Sequence, residues 1–160
     1  MTQVYVSVGS NQQARHNVPK ALEAIRSEFS PIELSPIYES IAVGFDGDNF
    51  INLVVGFNTE RSLQEINSIL NKIEKSCGRN RGEVRFTSRT MDLDLLTYGD
   101  LVCHDKQWDI PRREITRNAF VLKPLADLAP DSLHPESGES YSRLWQDGDF
   151  AGQDLWEIEL

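Results

Sequence analysis

The sequence predicts an α+β fold in which an antiparallel sheet carries helices packed on one face. Two observations predict it: the run 4–9 alternates and the run 50–58 is apolar, as strands are, and apolar residues recur at helical spacing in 18–29 and 62–78. In chain order the predicted elements read β-α-β-β-α-β, an order typical of the split βαβ arrangement.

The first strand and the first helix lie at the N-terminus. The run VYVSVG at 4–9 is β-branched and alternating, which favours a strand, and the GSN that follows turns the chain. A helix is predicted from about 18 to 29, because Pro19 suits a first helical turn and Asn17 is a fair N-cap. Its apolar face consists of Val18, Leu22, Ile25 and Phe29.

Two further strands follow, separated by a loop rich in Gly and Asp. Pro36 interrupts the segment 32–40, which predicts an edge strand or a bulge because proline cannot donate to a ladder. The run 50–58 is more apolar and predicts the next strand. The loop between them covers residues 41–49.

The second helix and the last strand of the core flank an arginine-rich loop. Ser62 and Glu65 form a capping-box pattern, an apolar face follows at helical spacing, and Gly78 suits the end of the helix. Residues 79–89 have no apolar period and predict an exposed loop. RTMDLDLLTYGD, at 89–100, predicts the strand that follows.

Length and composition predict a single domain, 1–160, with a ferredoxin-like core and a C-terminal extension. The extension contains an extended piece near 108–111, a helix in 117–130 and an acidic tail from about 136 to 160. The net charge of −9 argues against a nucleic-acid surface, and the cysteines and histidines have no metal-ligand spacing. No apolar run suits a signal sequence or a membrane span, so we expect a cytoplasmic monomer without membrane partners.

Two carboxylates stand inside the last strand of the predicted core. Side chains alternate along a strand, so Asp92 and Asp94 should project from the open face of the sheet, and Leu93 from the other. Two acids about 6 to 7 Å apart repel unless a cation lies between them, and Mg²⁺ bound jointly with phosphates suits such ligands. A solvated sheet face is the alternative explanation of the pair alone.

Arginines immediately precede this acid pair, namely Arg79, Arg81, Arg85 and Arg89. Guanidinium groups bind phosphate oxygens in bidentate fashion, so an arginine loop beside a metal site predicts polyphosphate transfer. Taken alone, the loop is better explained as a solvated run of charges.

The segment GRNRGEVRFTSRTMDLDLLTYGD resembles the signature of the 6-hydroxymethyl-7,8-dihydropterin pyrophosphokinases, whose pattern runs R-W-G-P-R-T-x-D-L/I-D. The resemblance extends to VGSN at 8–11, YES at 38–40, NFINLVV at 49–55 and AFVLKPLADLAPD at 119–131. It covers roughly residues 3–135 in collinear order, which would be the core of a pyrophosphokinase-like domain.

The resemblance implies transfer of pyrophosphate from ATP to the hydroxymethyl group of a reduced pterin, with release of AMP, in folate biosynthesis. Asp92 and Asp94 would hold two Mg²⁺ ions that bridge the triphosphate, and Arg79 and Arg89 would act with them as catalytic residues. The ATP-binding positions that it implies are Asn71, Glu74, Arg81, Arg89, Leu95, Arg112 and Arg117. Glu74 could equally be a surface acid.

The pterin-binding positions that the resemblance implies are Ser40, Val43, Phe50, Asn52 and Phe120. Phe50 and Phe120 would sandwich the pterin ring, and Asn52 would form hydrogen bonds with its edge. Taken singly, the two phenylalanines are better explained as core residues.

Several positions depart from the family pattern. Arg112 follows Pro111 where the family has a histidine, Phe86 replaces a tryptophan, and Asn118 replaces an arginine, with Arg117 one position earlier. These departures leave an alternative open, a divergent paralogue that binds nucleotide or pterin without efficient turnover. A ferredoxin-like RNA binder is a third possibility, disfavoured by the net charge and by the lack of an aromatic RNA-binding strand.

Overall fold

The structure is a computed structural model that describes residues 1–41, 48–78 and 91–160. Its helices are α1 (Ala14–Phe29), α2 (Leu63–Ser76), α3 (Ala119–Leu128) and α4 (Tyr141–Asp147), with a 3₁₀ helix at Arg113–Thr116. Its strands are β1 (Thr2–Ser10), β2 (Glu33–Leu34), β3 (Ile37–Ser40), β4 (Phe50–Thr59), β5 (Asp92–Tyr98), β6 (Cys103–His104), β7 (Asp109–Ile110) and β8 (Leu155–Ile158). Across these three ranges, no helix has the length and apolar character needed to cross a membrane.

The main sheet is antiparallel, in the strand order β5-β1-β4-β3-β8, and β2 pairs with β4. The predicted α+β order is confirmed, with β2 and β3 as two parts of one predicted strand. They separate at Pro36, and Val54 of β4 donates its N–H to Ser35 Oγ at 2.8 Å beside the break. β3 is not an edge strand, because β8 pairs with its free side.

The acidic C-terminal residues contain regular structure. α4 and β8 both lie within the segment 136–160, and β8 adds a strand to the main sheet. Leu155 of β8 lies opposite Ser40 of β3. The sequence pattern indicates only a tail here, because a strand as short as LWEI has too few residues to show a clear alternation.

The start of α1 differs from the prediction. The helix begins at Ala14, so that Pro19 lies inside it rather than in its first turn. Asn17, the predicted N-cap, is also inside the helix and donates from Nδ2 to the Gln12 carbonyl at 2.9 Å. Gln13 precedes the helix in the left-handed region, with φ of 49°, which few residues other than glycine adopt. The predicted start was wrong because Asn17 and Pro19 have the spacing of a helix N-terminus although both lie inside the helix.

The start of α2 was predicted correctly. Ser62 Oγ accepts from the Glu65 N–H at 3.2 Å, and Glu65 Oε1 accepts from the Ser62 N–H at 3.1 Å. This reciprocal pair is the capping box, which satisfies two main-chain donors at the N-terminus of the helix.

Helices cover both faces of the sheet. On the first face, apolar side chains of β1, β4 and β5 pack against α1 and α2, with Leu53 and Leu93 almost fully buried. On the second face, Val54 and Leu96 pack against α3 and α4 in a smaller apolar cluster. The predicted one-sided packing describes α1 and α2, and the C-terminal extension covers part of the opposite face.

Candidate active site

A row of polar residues crosses the second face of the sheet. The register places Asn52 of β4 and Asp92 of β5 on either side of Gly9 of β1, and Tyr38 of β3 opposite Asn52. Directly paired residues project to the same face of a sheet, so these side chains share one surface. Asp94 lies on the same face one pleat further along β5. Positions far apart in the sequence thus become neighbours.

Asp92 and Asp94 project from the same face, and their carboxyl groups share a hydrogen bond. The Asp94 side chain is only 17% exposed, because the C-terminal extension covers part of the face that was predicted to be open. Burial and the neighbouring Asp92 raise the pKa of Asp94 to about 8, although Arg112 acts in the opposite direction. A cation beside the pair would favour the ionised form of both carboxyl groups.

Arg112 lies next to the acid pair. Its Nη2 is 3.7 Å from Asp94 Oδ1 and 3.1 Å from Glu114 Oε1, and its main-chain N–H donates to the Leu96 carbonyl at 2.9 Å. Burial acts to lower the pKa of Arg112, but Asp94 and Glu114 outweigh it, so the pKa is raised. Its Nε is buried without a hydrogen-bond partner among the described residues. Arg112 therefore adds a fixed positive charge at the edge of the site.

Asn52 forms the neutral part of the polar row. It is 4% exposed, and its Nδ2 is buried without a hydrogen-bond partner in the described part of the chain. Gly9 lies beside it, and a Cβ at Gly9 would lie 2.8 Å from Asn52 Oδ1. The glycine therefore leaves room for the amide, whose donor is available to a polar ligand.

Aromatic rings flank the neutral end of the row. Phe50 lies opposite Ser40 at the ends of β4 and β3, one pleat from Asn52 on the same face. Phe120 lies in the first turn of α3, and its ring packs against the cluster of the second face. Both phenylalanines are only partly buried, whereas Ser40 is buried.

Tyr38 ties this part of the sheet to α3. Its hydroxyl donates to the carboxylate of Asp127, which also accepts from Lys123 Nζ at 2.8 Å. Burial and Asp127 raise the pKa of Tyr38, so the hydroxyl stays protonated and donates. Sequence analysis missed Tyr38 and Asp127, although Tyr38 stands in the YES motif, because their bond joins residues 89 apart in the chain.

The predicted ATP positions on α2 lie at the outer edge of β5. Glu74 is fully buried and accepts from the Leu93 N–H at 2.8 Å, so its description as a possible surface acid is wrong. Asn71 Oδ1 is buried without a hydrogen-bond partner among the described residues. The structure therefore brings these two residues beside the strand that carries the acid pair, but not onto the second face.

The other predicted positions fall into two groups. The Leu95 side chain is buried in the cluster of the first face, and Arg117 is exposed just before α3. The remaining positions lie outside the described residues, namely Val43, Arg79, Arg81, Arg85, Phe86 and Arg89. Glu114, which bonds Arg112, was missed although it stands only two positions after it.

The fold and the polar row, which combines two carboxylates with a buried amide and flanking aromatic rings, define the class as a small α+β protein with a partly buried polar site. The family model described as 7,8-dihydro-6-hydroxymethylpterin-pyrophosphokinase (HPPK) matches residues 5–130. The chain belongs to this family.

Two similar bacterial proteins share one name. The chain is 36% identical to 2-amino-4-hydroxy-6-hydroxymethyldihydropteridine pyrophosphokinase of Pseudomonas aeruginosa over 137 residues, which covers 83% of this chain and 84% of the relative. It is 35% identical to the protein of that name from Aquifex aeolicus over 138 residues, covering 84% of this chain and 85% of the relative. The match therefore spans most of both proteins in each case.

Solved structures share the fold. Plasmodium falciparum HPPK-DHPS wild type, in a crystal structure with STZ-DHP, superposes with a TM-score of 0.72 at 12% identity. The match covers 91% of this chain and 43% of that chain. The present chain therefore corresponds to less than half of that longer protein, and at this identity the likeness concerns the fold alone.

Proposed function

We propose that the protein transfers the pyrophosphoryl group of ATP to the hydroxymethyl group of 6-hydroxymethyl-7,8-dihydropterin and releases AMP. The observation that carries the proposal is the row Asn52–Gly9–Asp92 across adjacent strands. Neighbouring strands lie about 4.8 Å apart, so the main-chain positions of Asn52 and Asp92, two strands apart, are separated by roughly 10 Å. That spacing suits a two-ring heterocycle at one end and a phosphate chain at the other.

Mg²⁺ is the cofactor that the acid pair would hold. Within residues 1–41, 48–78 and 91–160, no group of three or more His, Cys, Asp or Glu side chains is placed to bind a metal. Mg²⁺ in nucleotide enzymes needs only one or two carboxylates, because phosphate oxygens and water complete its shell. Asp92 and Asp94 are partly buried and lie side by side on one face, so they fit that role for two ions. Bound Mg²⁺ would neutralise the charge on the triphosphate.

Arg112 would contact the phosphates. It lies beside the acid pair and its Nε is buried without a partner among the described residues, so a donor is available for a phosphate oxygen. The pterin hydroxyl attacks the β-phosphorus, and the bond from that phosphorus to the oxygen of the leaving AMP breaks. Alignment of the reactants and fixed positive charge favour this step more than a strong base does.

The neutral end of the row would bind the pterin. The buried Nδ2 donor of Asn52 would bond a ring acceptor, and Ser40, one pleat away on β3, would add a second polar contact. Val43 is assigned to the pterin on the family pattern. Phe50 and Phe120 would stack on the two faces of the ring, each contact contributing about 0.5–1.5 kcal/mol beyond area burial.

The outer edge of β5 would bind the nucleoside part of ATP. Leu93 directs its N–H away from β1 toward Glu74, and Leu95, two residues on, should have the same main-chain orientation. Leu95 would then contact the nucleotide through main-chain atoms, with Asn71 and Glu74 beside it. We also assign Arg79, Arg81, Arg89 and Arg117 to phosphate binding, with Arg79 and Arg89 as catalytic residues, on the family pattern.

The proposal is tested by following AMP release from ATP, with and without the pterin and Mg²⁺. We expect Asp92→Ala and Asp94→Ala each to lower kcat/KM by about 100-fold or more, because charge neutralisation at the phosphates is lost. Asp100→Ala, at an exposed acid just after β5, is the matched control and should have little effect. Near-wild-type AMP release from both site variants, or tight substrate binding by the wild type without AMP release, would contradict the proposal.

A further inference from the structure

Helix α3 begins without the usual bond from its own N-cap residue. Asn118 makes no side-chain hydrogen bond to the first turn of the helix. Its Nδ2 instead lies 3.5 Å from Glu114 Oε2. The first N–H groups of a helix have no partners within it, so they bond other side chains, water or ligands.

Gln153 supplies that partner from the C-terminal segment. Its Oε1 accepts from the Ala119 N–H at 2.8 Å, and its Nε2 donates to the Arg117 carbonyl at 3.0 Å. One side-chain amide therefore bonds the main chain on both sides of Asn118. Both the donor and the acceptor of the amide are used, and they sit on two different atoms of the same group.

The segment held by Gln153 leads directly into the proposed pterin site. Phe120 follows Ala119 in the chain, in the first turn of α3. Two residues after Gln153, Leu155 begins β8 and pairs with Ser40 of β3. The stretch 153–155 therefore contacts the start of α3, which carries Phe120, and strand β3, which carries Ser40.

We propose that Gln153 is a positioning residue of the acceptor site. It fixes the start of α3 so that the Phe120 ring keeps its place on the second face and can stack on a flat heterocycle. The identity of that heterocycle rests on the proposed function. Asp92 and Asp94 lie on β5, at the other end of the polar row, and Gln153 bonds Arg117 through its main-chain carbonyl. The main effect of Gln153 is therefore on acceptor affinity, with a smaller effect on the phosphate half.

The test is the variant Gln153→Ala, with both substrates titrated in the AMP-release assay. Two hydrogen bonds of ordinary strength correspond to roughly a tenfold change, so the KM for the pterin should rise about tenfold. The KM for ATP should stay within about threefold of the wild-type value, because Gln153 bonds the main-chain carbonyl of Arg117, while the Arg117 side chain, the group assigned to phosphate, is exposed. Hydrogen exchange at the Ala119 amide should become faster in the free variant.

Two further variants separate positioning from general stability. Gln153→Glu keeps an acceptor for the Ala119 N–H and loses the donor to the Arg117 carbonyl, so its pterin KM should lie between those of wild type and Gln153→Ala. Gln146→Ala removes an exposed glutamine from α4 and should change neither KM.

An unchanged pterin KM in Gln153→Ala overturns the inference. So do equal rises in both KM values together with a lower Tm, which would indicate a purely structural role. If the wild type releases no AMP, the proposed function fails instead. Calorimetric Kd values for the pterin, measured on wild type and Gln153→Ala, then test the role of Gln153. A higher Kd in the variant supports the inference, and equal Kd values or absent binding overturn it.

Discussion

The two faces of the sheet are made by the same strands but differ in what they carry. The first face holds fully buried apolar side chains such as Val6 and Leu53, whereas the second holds Asn52 and Asp94 among a smaller apolar cluster. Alternation puts residues of the two kinds at consecutive positions in one strand. Stability and chemistry can therefore be altered separately by substituting neighbours.

The buried apolar residues of the first face and the buried carboxyl of the second have opposite effects on the stability of the fold. Burial of one large aliphatic side chain stabilises the fold by about 1.5–3 kcal/mol. Asp94 acts the other way, because burial and Asp92 raise its pKa to about 8. A carboxyl whose folded pKa is raised binds its proton more tightly in the folded state, so it destabilises the fold as pH rises from 3.8 toward 8. This destabilisation is typical of a functional site.

The sharpest test of the contrast substitutes adjacent residues on opposite faces. Asp94→Asn removes a proposed metal ligand and should lower kcat by roughly 1,000-fold. Its free energy of unfolding at pH 7 should be unchanged or higher, because an amide stays neutral beside Asp92 without the proton that Asp94 must take up on folding. AMP release and urea denaturation, measured on the same sample, give the two quantities.

Leu93→Ala is the matched change on the first face. Leu93 is 1% exposed, so truncation should lower the free energy of unfolding by about 2–5 kcal/mol. The kcat per folded molecule should stay near the wild-type value. The contrast between the faces fails if Asp94→Asn is the more destabilised of the two, or if Leu93→Ala loses activity while it remains folded.

Local signals in the sequence account for what could be predicted. The capping box of Ser62 and Glu65 fixes the start of α2 within four residues of chain, and the alternation around Asp92 and Asp94 fixes their common face. Both patterns depend on neighbours in sequence, which a single chain displays directly. The placement of Asn52 near this pair followed only from the family resemblance.

Contacts between distant segments account for what could not be predicted. Gln153 bonds the start of α3, and Tyr38 bonds Asp127, across 34 and 89 residues of chain. No periodicity or spacing in the sequence marks such pairs, because each residue meets its partner only when the chain has folded. The coverage of the second face by the C-terminal extension was missed for the same reason.

A smaller effect on activity is expected from a substitution at Gly9 of β1, which lies between Asn52 and Asp92. Gly9→Ala would place a Cβ 2.8 Å from Asn52 Oδ1, so the amide must move away from its present position. We expect the KM for the pterin to rise roughly tenfold, the scale of one or two lost hydrogen bonds, with little change in the KM for ATP. Steady-state titration of each substrate measures both values.

Gly56→Ala is the control for this change. Its Cβ would lie 2.9 Å from the Tyr5 ring, so it brings a comparable local clash at another position of the same sheet. It should change stability without a selective effect on the pterin. A similar rise in pterin KM in both variants would mean that Gly9 matters for packing and not for the Asn52 amide.

The smallest effect concerns pH and the cover of the second face. His134 is 6% exposed, its Nδ1 accepts from the N–H groups of Glu136 and Ser137, and its ring makes an edge contact with Tyr141. Burial lowers the pKa of His134, and nearby His104 adds to this, although Glu136 acts in the opposite direction. The folded state therefore favours the neutral imidazole, which Nδ1 needs in order to accept.

The sign of the pH effect follows from this lowered pKa. The unfolded chain takes up the proton near the ordinary value of 6.5, so stability is full above that pH and falls as the pH drops below it. One proton limits the slope to about 1.4 kcal/mol per pH unit. His134→Asn keeps an acceptor without titrating and should flatten urea midpoints between about pH 6.5 and 5, whereas His16→Asn, at an exposed histidine of α1, should not. If the urea midpoint changes equally with pH in wild type and His134→Asn, then His134 does not make the C-terminal cover of the second face sensitive to pH.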